Sequence, residues 1–479
     1  DKLMGGAPHD IDIAVDDRMG KELAEIISAY MHEKGRAADV GSVGVIQSNP
    51  EQSKHLETAT MRLLGFEVDF VNLRAEEYTD SRIPVARVGT PLEDAERRDL
   101  TINALFYNLA TRNVEDFTGK GMADLKAGIV RTPLPPLSTM TDDPLRALRA
   151  IRFATRLGFA LDTDLEATLG SAQVSDALSN KVSKERVYNE LNGMLNGKDP
   201  ARALQLLHQL NLLAVVFASP PAHPPPTSWA DRAMRMVDRL VAVDRATAIA
   251  ILGATQVGTE TSAMKALSQE NRRIAFLSAV LCPLSAITIP QGKKTVGLPE
   301  SVLRNSLKAT TKDVNETALL LEQLPEIRKI ARLLAGVDPA PEGEGEPSLK
   351  VRAGRALRKC GAMSRLAILL SLCAEQSEAD DDAEAGRSAA RHSQLVSIIE
   401  GEWGLDEIWT MRPLLTGNEI TEILKLDKKK RDDGILIGVA MKASLDWILE
   451  QPRPKETSKE DCIAWLNATY SKKRKFGEE

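Results

Sequence analysis

The chain has 479 residues, 43% hydrophobic and 27% charged, a balance that supports several folded domains. No apolar run is long enough to cross a bilayer as a helix; the longest, around 367–374, has the length of a core helix. Four scattered cysteines without a Cys-x-x-Cys pair and six histidines without ligand spacing argue against a disulfide framework or structural zinc, and the formal net charge of −6 means that a nucleic-acid partner would have to meet a local basic surface.

The first third alternates strand and helix patterns. Asp10–Val15 reads Asp-Ile-Asp-Ile-Ala-Val, a period-two run that predicts a half-buried strand with Ile11 and Ile13 turned into the core. Leu23, Ile26, Ile27 and Met31 repeat at helical spacing, with Gly35 as a stop. Residues 42–47 and 66–73 predict two more strands, and residues 101–109 a further helix. This small mixed α/β domain ends near Pro135. From Asp142 onward the strand signal fades, and Leu145, Leu148 and Ile151, then Val187, Leu191 and Met194, mark helices. The proline-rich stretch 219–227, the Pro/Gly/Glu stretch 338–347 and the acidic stretch 375–386 read as surface loops or disordered inserts.

Asp10 and Asp12 stand two apart on the first strand, so period two assigns them one face. Paired carboxylates on a rigid strand repel unless a cation lies between them. Magnesium takes hard oxygen ligands and keeps positions for phosphate oxygens, the arrangement used in two-metal phosphoryl or nucleotidyl transfer. Asp69, between Val68 and Phe70 on another strand, offers a third carboxylate. The run Arg97-Arg98-Asp99 before Thr101 and Asn103 puts cations at a predicted helix start, which suits a triphosphate. Each signal taken singly has a plainer reading: a solvated strand face, or a charged helix start making surface ion pairs.

Taken in order, these stretches resemble a known family, the class II tRNA nucleotidyltransferases in their eukaryotic form. The matching stretches are 9–14 (HDIDIA), 49–57 (NPEQSKHLE), 66–74 (FEVDFVNLR), 97–105 (RRDLTINAL), 116–125 (DFTGKGMADL), 142–153 (DDPLRALRAIRF) and 182–191 (VSKERVYNEL). Residues 413–419 and 432–449 are more weakly similar to the family's C-terminal tail. The resemblance implies an α+β fold: a small mixed-sheet head of the polymerase-β superfamily, followed by all-helical neck, body and tail. The expected spans are 1–135 for the head, 136–217 for the neck, 218–400 for the body and 401–479 for the tRNA-binding tail. It further implies that Asp10 and Asp12 hold two magnesium ions, with Asp69 as third carboxylate. Arg97, Arg98, Asp99 and Asn103 would contact triphosphate and ribose. Glu93 and Asp94 fall in what is a flexible loop in the family. Asp116, Gly119 and Asp124 match a hinge motif, and Glu185 and Arg186 match a neck motif that props the nucleotide-reading helix.

Asp143 and Arg146 match the pair that reads the incoming base. Three apart at the start of a predicted helix, they would share a face. A carboxylate accepts from the exocyclic amine of cytosine or adenine, and a guanidinium donates to the ring nitrogen. Uracil and guanine set a carbonyl where the amine should be, at a cost of about 1–3 kcal/mol per lost base contact. Arg149, Arg152 and Arg156 continue a basic stripe in which Arg149 and Arg152 are candidate nucleotide or phosphate contacts.

The implied activity is template-independent CCA addition to the tRNA acceptor end from CTP and ATP. The rival readings are a CC-only or A-only enzyme, a poly(A) polymerase of the same superfamily, and an inactive tRNA-binding homologue. In the family a Gly-Gly pair and an Arg precede the position matched by Asp1, so the sequence is expected to lack the first residues of the head. Basic runs at 428–431 and 472–475 are candidate phosphate contacts, the second also a nuclear import signal. The expected setting is the cytoplasm, with nucleus and mitochondrion as further compartments, for a monomer or homodimer without a membrane partner.

Overall fold

Every second residue of Asp10–Val15 is apolar, and this segment forms strand β1. The computed structural model describes residues 2–6, 10–16, 18–46, 58–77, 85–260, 262–339, 346–427 and 431–474, with side chains for all of these except 10, 46, 76, 77, 85, 86 and 471–474. The expectations placed on His9, on 49–57, on 428–430 and on the side chains of 472–475 lie outside that description. Helix α1 (Gly20–Glu33) follows β1 and is succeeded by Gly35 at φ +70°, a left-handed position that glycine takes without steric cost. Strands β2 (Gly44–Ile46), β3 (Thr58–Leu63) and β4 (Phe66–Asn72) complete a sheet in the order β1-β4-β3-β2. β1 runs parallel to β4, whereas β3 is antiparallel to both β4 and β2.

One face of this mixed sheet is apolar. Val15, Ala59, Met61, Val68 and Phe70 are buried together with Ala24 of α1, and Ile13, Leu23 and Ile27 pack against them. Ile11, expected in the core, is 37% exposed. It lies toward the outer end of β1, an edge strand of the described sheet, one pleat beyond the cluster that α1 covers. β3 was not among the expected strands. Its buried positions are Ala59 and Met61, residue types with weak strand preference.

A hairpin of β5 (Arg74–Glu77) and β6 (Val85–Val88) leads to helix α2 (Pro91–Glu96). Thr90 caps α2: its hydroxyl accepts from the Glu93 N–H while the Glu93 carboxylate accepts from the Thr90 N–H, with Pro91 in the first turn. The helix expected over 101–109 does not form. A single 3-10 turn, Thr101–Asn103, precedes strand β7 (Phe106–Asn108), which pairs with β8 (Asn113–Glu115). The Asn103 amide bonds back to Asp99, a local side-chain contact that competes with helix propagation. Phe106 and Tyr107 are strand formers.

Helix α3 (Gly121–Ala127) is followed by the helices α4 (Pro136–Asp142), α5 (Leu145–Leu157), α6 (Thr163–Leu169), α7 (Ala172–Lys181), α8 (Lys184–Leu195) and α9 (Pro200–Gln209). Leu145, Leu148 and Ile151 of α5 are buried, as are Val187, Leu191 and Met194 of α8, at the expected spacing. These elements belong to one compact unit, Asp1–Val216; a second spans Phe217–Glu479.

Among the described residues, the regular elements of the second unit are helical apart from a hairpin of Thr288–Gln291 with Lys294–Gly297, which the sequence reading did not anticipate. The acidic stretch 375–386 is neither loop nor insert. Helix Ser364–Ser377 runs into it and helix Asp382–Ser397 starts within it, capped by Asp381. Glu375 is buried there because Arg332 and Arg391 both donate to its Oε1, at 3.0 and 2.8 Å. Near the C-terminal end, Leu415, Ile420, Ala440, Ile448, Cys462 and Leu466 form a separate small core. No helix among the described residues is long and apolar enough to cross a membrane.

Close approach of α1 to the sheet depends on Gly20, where an added Cβ would lie 2.4 Å from the Phe70 carbonyl oxygen. Gly20→Ala is expected to destabilise the head by about 1–3 kcal/mol, read as lost amide-exchange protection along β4; parental protection would show that α1 can shift without cost.

Candidate active site

The parallel register sets Asp12 opposite Asp69 and Asp10 opposite Glu67. In-register positions of neighbouring strands share a face, so the positions of Asp10, Asp12 and Asp69 lie together on the face opposite Val68 and Phe70. Thr60 of β3 continues this row beside Asp69. Asp12 is exposed and Asp69 half-buried. Glu67 is a fourth carboxylate on the row that sequence reasoning did not select, although it stands two residues before Asp69. The end of β1 is fastened to β4 by buried Asn72, whose amide donates to the carbonyls of Val15 (3.3 Å) and Arg18 (2.8 Å). This donor set is the hard-oxygen kind that suits magnesium. Among the described residues no three potential ligand side chains cluster tightly enough to hold an ion, and the Asp10 side chain is not one of those described.

The arginine pair is organised by Asp94. Instead of lying in a flexible loop, Glu93 and Asp94 are on the capped helix α2, and Asp94 is 1% exposed. Its Oδ1 accepts from Arg97 Nε (2.9 Å) and Nη2 (2.6 Å), and its Oδ2 from Arg98 Nε (3.0 Å) and Nη2 (2.8 Å). The N–H of Arg74 also donates to Oδ1, at 3.0 Å. Arg97 and Arg98 therefore follow the C-terminus of α2 and do not open a helix. Arg98 additionally donates to the Asn103 carbonyl (3.2 Å) and lies 5.3 Å from the Phe106 ring centroid. Asp99 is buried and accepts from Asn103 (3.1 Å) and Arg149 (2.7 Å).

Asp143 and Arg146 are brought to the start of α5, but not onto one helix face. Pro144 follows Asp143 and disfavours helical backbone at the preceding residue; Asp143 is extended, with φ −129° and ψ 95°, between α4 and α5. Its Oδ1 accepts from the Leu145 N–H (3.2 Å) and its Oδ2 from Arg186 of α8 (3.1 Å). Arg146 donates to the carbonyl of Arg97 at 2.7 Å, joining the two halves of the candidate nucleotide site. Burial pushes the carboxyl of neighbouring Asp142 above its ordinary pKa, against the opposing pull of Arg146 and Lys181.

The neck support differs from expectation in one residue. Arg186 meets Asp143, whereas Glu185 is exposed on the first turn of α8. Glu190 makes the carboxylate contact, accepting from Arg152 Nε at 2.6 Å and lying 3.8 Å from Arg149. Gly193, one turn further, clears the path of Arg152: a Cβ there would come within 2.7 Å of its Cδ. Helical spacing from Glu190 to Gly193 could have suggested this. Arg149, Arg152 and Arg156 also surround the Phe153 ring at 5.6, 4.7 and 4.9 Å. In the 116–124 stretch, Asp116 accepts from the Thr118 hydroxyl and the Met122 N–H, Gly119 takes φ +66°, and buried Asp124 accepts from Thr101 (2.7 Å) and Arg131 (3.2 Å).

The chain matches two families of known proteins: one described as Poly A polymerase head domain, over residues 1–131, and one described as probable RNA and SrmB-binding site of polymerase A, over residues 158–223. A tRNA nucleotidyltransferase of Schizosaccharomyces pombe is 34% identical over 97% of this chain and 88% of its own length. The mitochondrial CCA tRNA nucleotidyltransferase of Saccharomyces cerevisiae is 50% identical over 45% of this chain and 40% of its own. Among solved structures, a Thermotoga maritima CCA-adding enzyme complexed with tRNA aligns with a TM-score of 0.55 at 17% identity, covering 98% of this chain and 88% of that one. At that identity the likeness establishes the fold alone.

Burial opposes ionisation of Asp94, but Arg98 and Arg97 outweigh it and hold the carboxyl below its ordinary pKa. A depressed folded pKa contributes stability above the unfolded value, about 4, that disappears as pH falls through the lower folded value. Acid titration below pH about 4 should thus unfold the head progressively. Asp94→Asn should cost about 1–3 kcal/mol at neutral pH and remove part of that acid dependence, as urea unfolding followed by hydrogen exchange of the head would register.

Proposed function

The chain belongs to the eukaryotic-type tRNA nucleotidyltransferases, and from that premise we propose that it builds the 3′-terminal CCA of tRNA from CTP and ATP without a template. The observation that carries this reading is the in-register pairing of Asp12 with Asp69, on strands tied through the Arg74 N–H and Asp94 to Arg97 and Arg98. The head would comprise residues 1–135, the neck 136–217, the body 218–400 and the tail 401–479, with tRNA recognised by acceptor-arm shape and backbone.

In this reading Asp10 and Asp12 hold two magnesium ions, with Asp69 beside them. When bound, these would offset the charge of the triphosphate and lower the pKa of the attacking tRNA 3′-hydroxyl. Arg97 and Arg98 bind the triphosphate, and Asp99 and Asn103 orient the ribose. The 3′-hydroxyl loses its proton to water and its oxygen bonds to the α-phosphorus as the bond from that phosphorus to the oxygen bridging to the β-phosphate breaks, so that pyrophosphate leaves. Arg149 and Arg152, fixed by Asp99 and Glu190, keep the reading helix in place.

Asp143 and Arg146 read the base. For this Asp143 must share or release its contact with Arg186, an ion pair whose two side chains are 28% and 44% exposed. Exposed pairs of this kind are worth about 0–1 kcal/mol, less than the roughly 1–3 kcal/mol of a good base contact. The exchange is therefore favourable for cytosine or adenine and not for uracil or guanine. The mitochondrial name of the Saccharomyces relative supports a mitochondrial site of action.

Incubation with tRNA ending at the discriminator base should yield CC from CTP alone and CCA from both nucleotides. Arrest at CC with both present, addition of A only to CC-ended tRNA, or long A tails would each replace this reading with a rival. Asp12→Ala should reduce incorporation at least about a thousandfold while tRNA affinity stays within a few-fold; normal turnover would remove the metal assignment. Asp143→Ala should erode selection against UTP and GTP by about ten- to a hundredfold, measured as ratios of kcat/KM, and unchanged ratios would discard the base-reading pair.

A further inference from the structure

Two guanidinium groups on consecutive residues repel each other. Arg97 and Arg98 are nevertheless drawn to the same point, because each offers its Nε–Nη2 edge to a different oxygen of Asp94. Charge-assisted contacts of this kind are among the stronger hydrogen bonds and fix direction as well as distance. Asp94 is almost fully buried, so water has little access to replace it. Its Oδ1 also takes the N–H of Arg74, the first residue of β5, two residues after the end of the strand that carries Asp69. Arg97 has a second fixed point through its carbonyl, held by Arg146, and Arg98 has one at the Asn103 carbonyl.

We propose that Asp94 is a positioning residue for the nucleotide: it aims Arg97 and Arg98 at the triphosphate and sets them in register with the Asp69 strand. The proposal rests on the reading that these two arginines meet the triphosphate. Asp94 itself touches neither nucleotide nor reacting atoms. It converts two long, mutually repelling side chains into one preorganised fork, so ordering them is not left to the binding step.

The test is steady-state kinetics of Asp94→Asn and Asp94→Glu with saturating tRNA, alongside Arg97→Ala and Arg98→Ala. Asp94→Asn keeps shape and an acceptor for Arg74 but removes the charge. It is expected to raise KM for both CTP and ATP about ten- to a hundredfold, to leave KM for tRNA within twofold, and to add nothing further when combined with both arginine replacements. Asp94→Glu should recover part of the loss. Unchanged nucleotide KM, an equal rise in tRNA KM, or losses that multiply in the combined variant would overturn the proposal. Should the Asp94 variants not fold, Arg97→Lys and Arg98→Lys decide from the other side. Lysine keeps the charge but lacks the two-nitrogen edge, so nucleotide KM should rise nearly as far as with alanine; parental KM in the lysine variants would overturn the proposal. If the alanine variants themselves leave nucleotide KM unchanged, it is the triphosphate role of the arginines that fails, an outcome separable from failure at Asp94 alone.

Discussion

Setting Asp12 beside Asp69 is a repulsive arrangement that the rest of the head has to hold in place. Strands lie about 4.8 Å apart, and two carboxylates at that spacing repel by about 3–4 kcal/mol at an effective dielectric of 20. The other face of the same strands supplies the opposing term. Val68 and Phe70 are buried against α1, each contributing roughly 1.5–3 kcal/mol if taken fully from water. Asn72 clips the end of β1 to β4, and Gly20 lets the helix close on Phe70. The apolar face thus keeps the acidic residues in register, and a divalent cation would convert their repulsion into affinity.

Away from the sheet, acids and bases alternate along a connected path. The Arg74 N–H meets Asp94; Asp94 meets Arg97 and Arg98; the Arg97 carbonyl meets Arg146. In parallel, Asp99 meets Arg149, and Glu190 lies between Arg149 and Arg152. These links join α2, α5 and α8, segments distant in sequence. Their value lies less in net stability than in direction: Arg98 is held by both Asp94 and the Asn103 carbonyl, and Arg149 by Asp99 with Glu190 at 3.8 Å.

How much of this could be read from the chain varied with the physical origin of each feature. Strands β1 and β4 and helices α1, α5 and α8 were legible because one face of each is buried and periodicity records that directly. The row of Asp10, Asp12 and Asp69 followed from alternation, yet their register across strands is set by non-local pairing and only the fold reveals it. The helix expected over 101–109 failed because apolar spacing does not register the Asn103–Asp99 contact. Asp143 was misplaced by one backbone step because Pro144 excludes helical geometry before it. Asp94 is not singled out because an acid next to arginines in sequence looks the same whether exposed or buried, and Glu190 because the arginines it meets are distant in sequence. The family resemblance points to particular arginines, but not to the acids that hold them.

A buried acid that gathers two arginines recurs in the second unit. In the second unit Glu375 binds Arg332 and Arg391 through a single oxygen, while its other oxygen lies 3.7 Å from His392. Burial there lowers the pKa of His392, whose ring nitrogens contact the Ser388 carbonyl and the Ser371 hydroxyl. Arg391 is itself 7% exposed and also meets Glu384, and Arg332, 28% exposed, is also held by Asp338, so a further acid faces each of these arginines. Around Asp94 the acid is equally buried, but the side chains of Arg97 and Arg98 keep 22% and 33% of their surface in water. The same buried-acid device therefore joins helices in the second unit and, around Asp94, holds two arginine heads that stay partly in water.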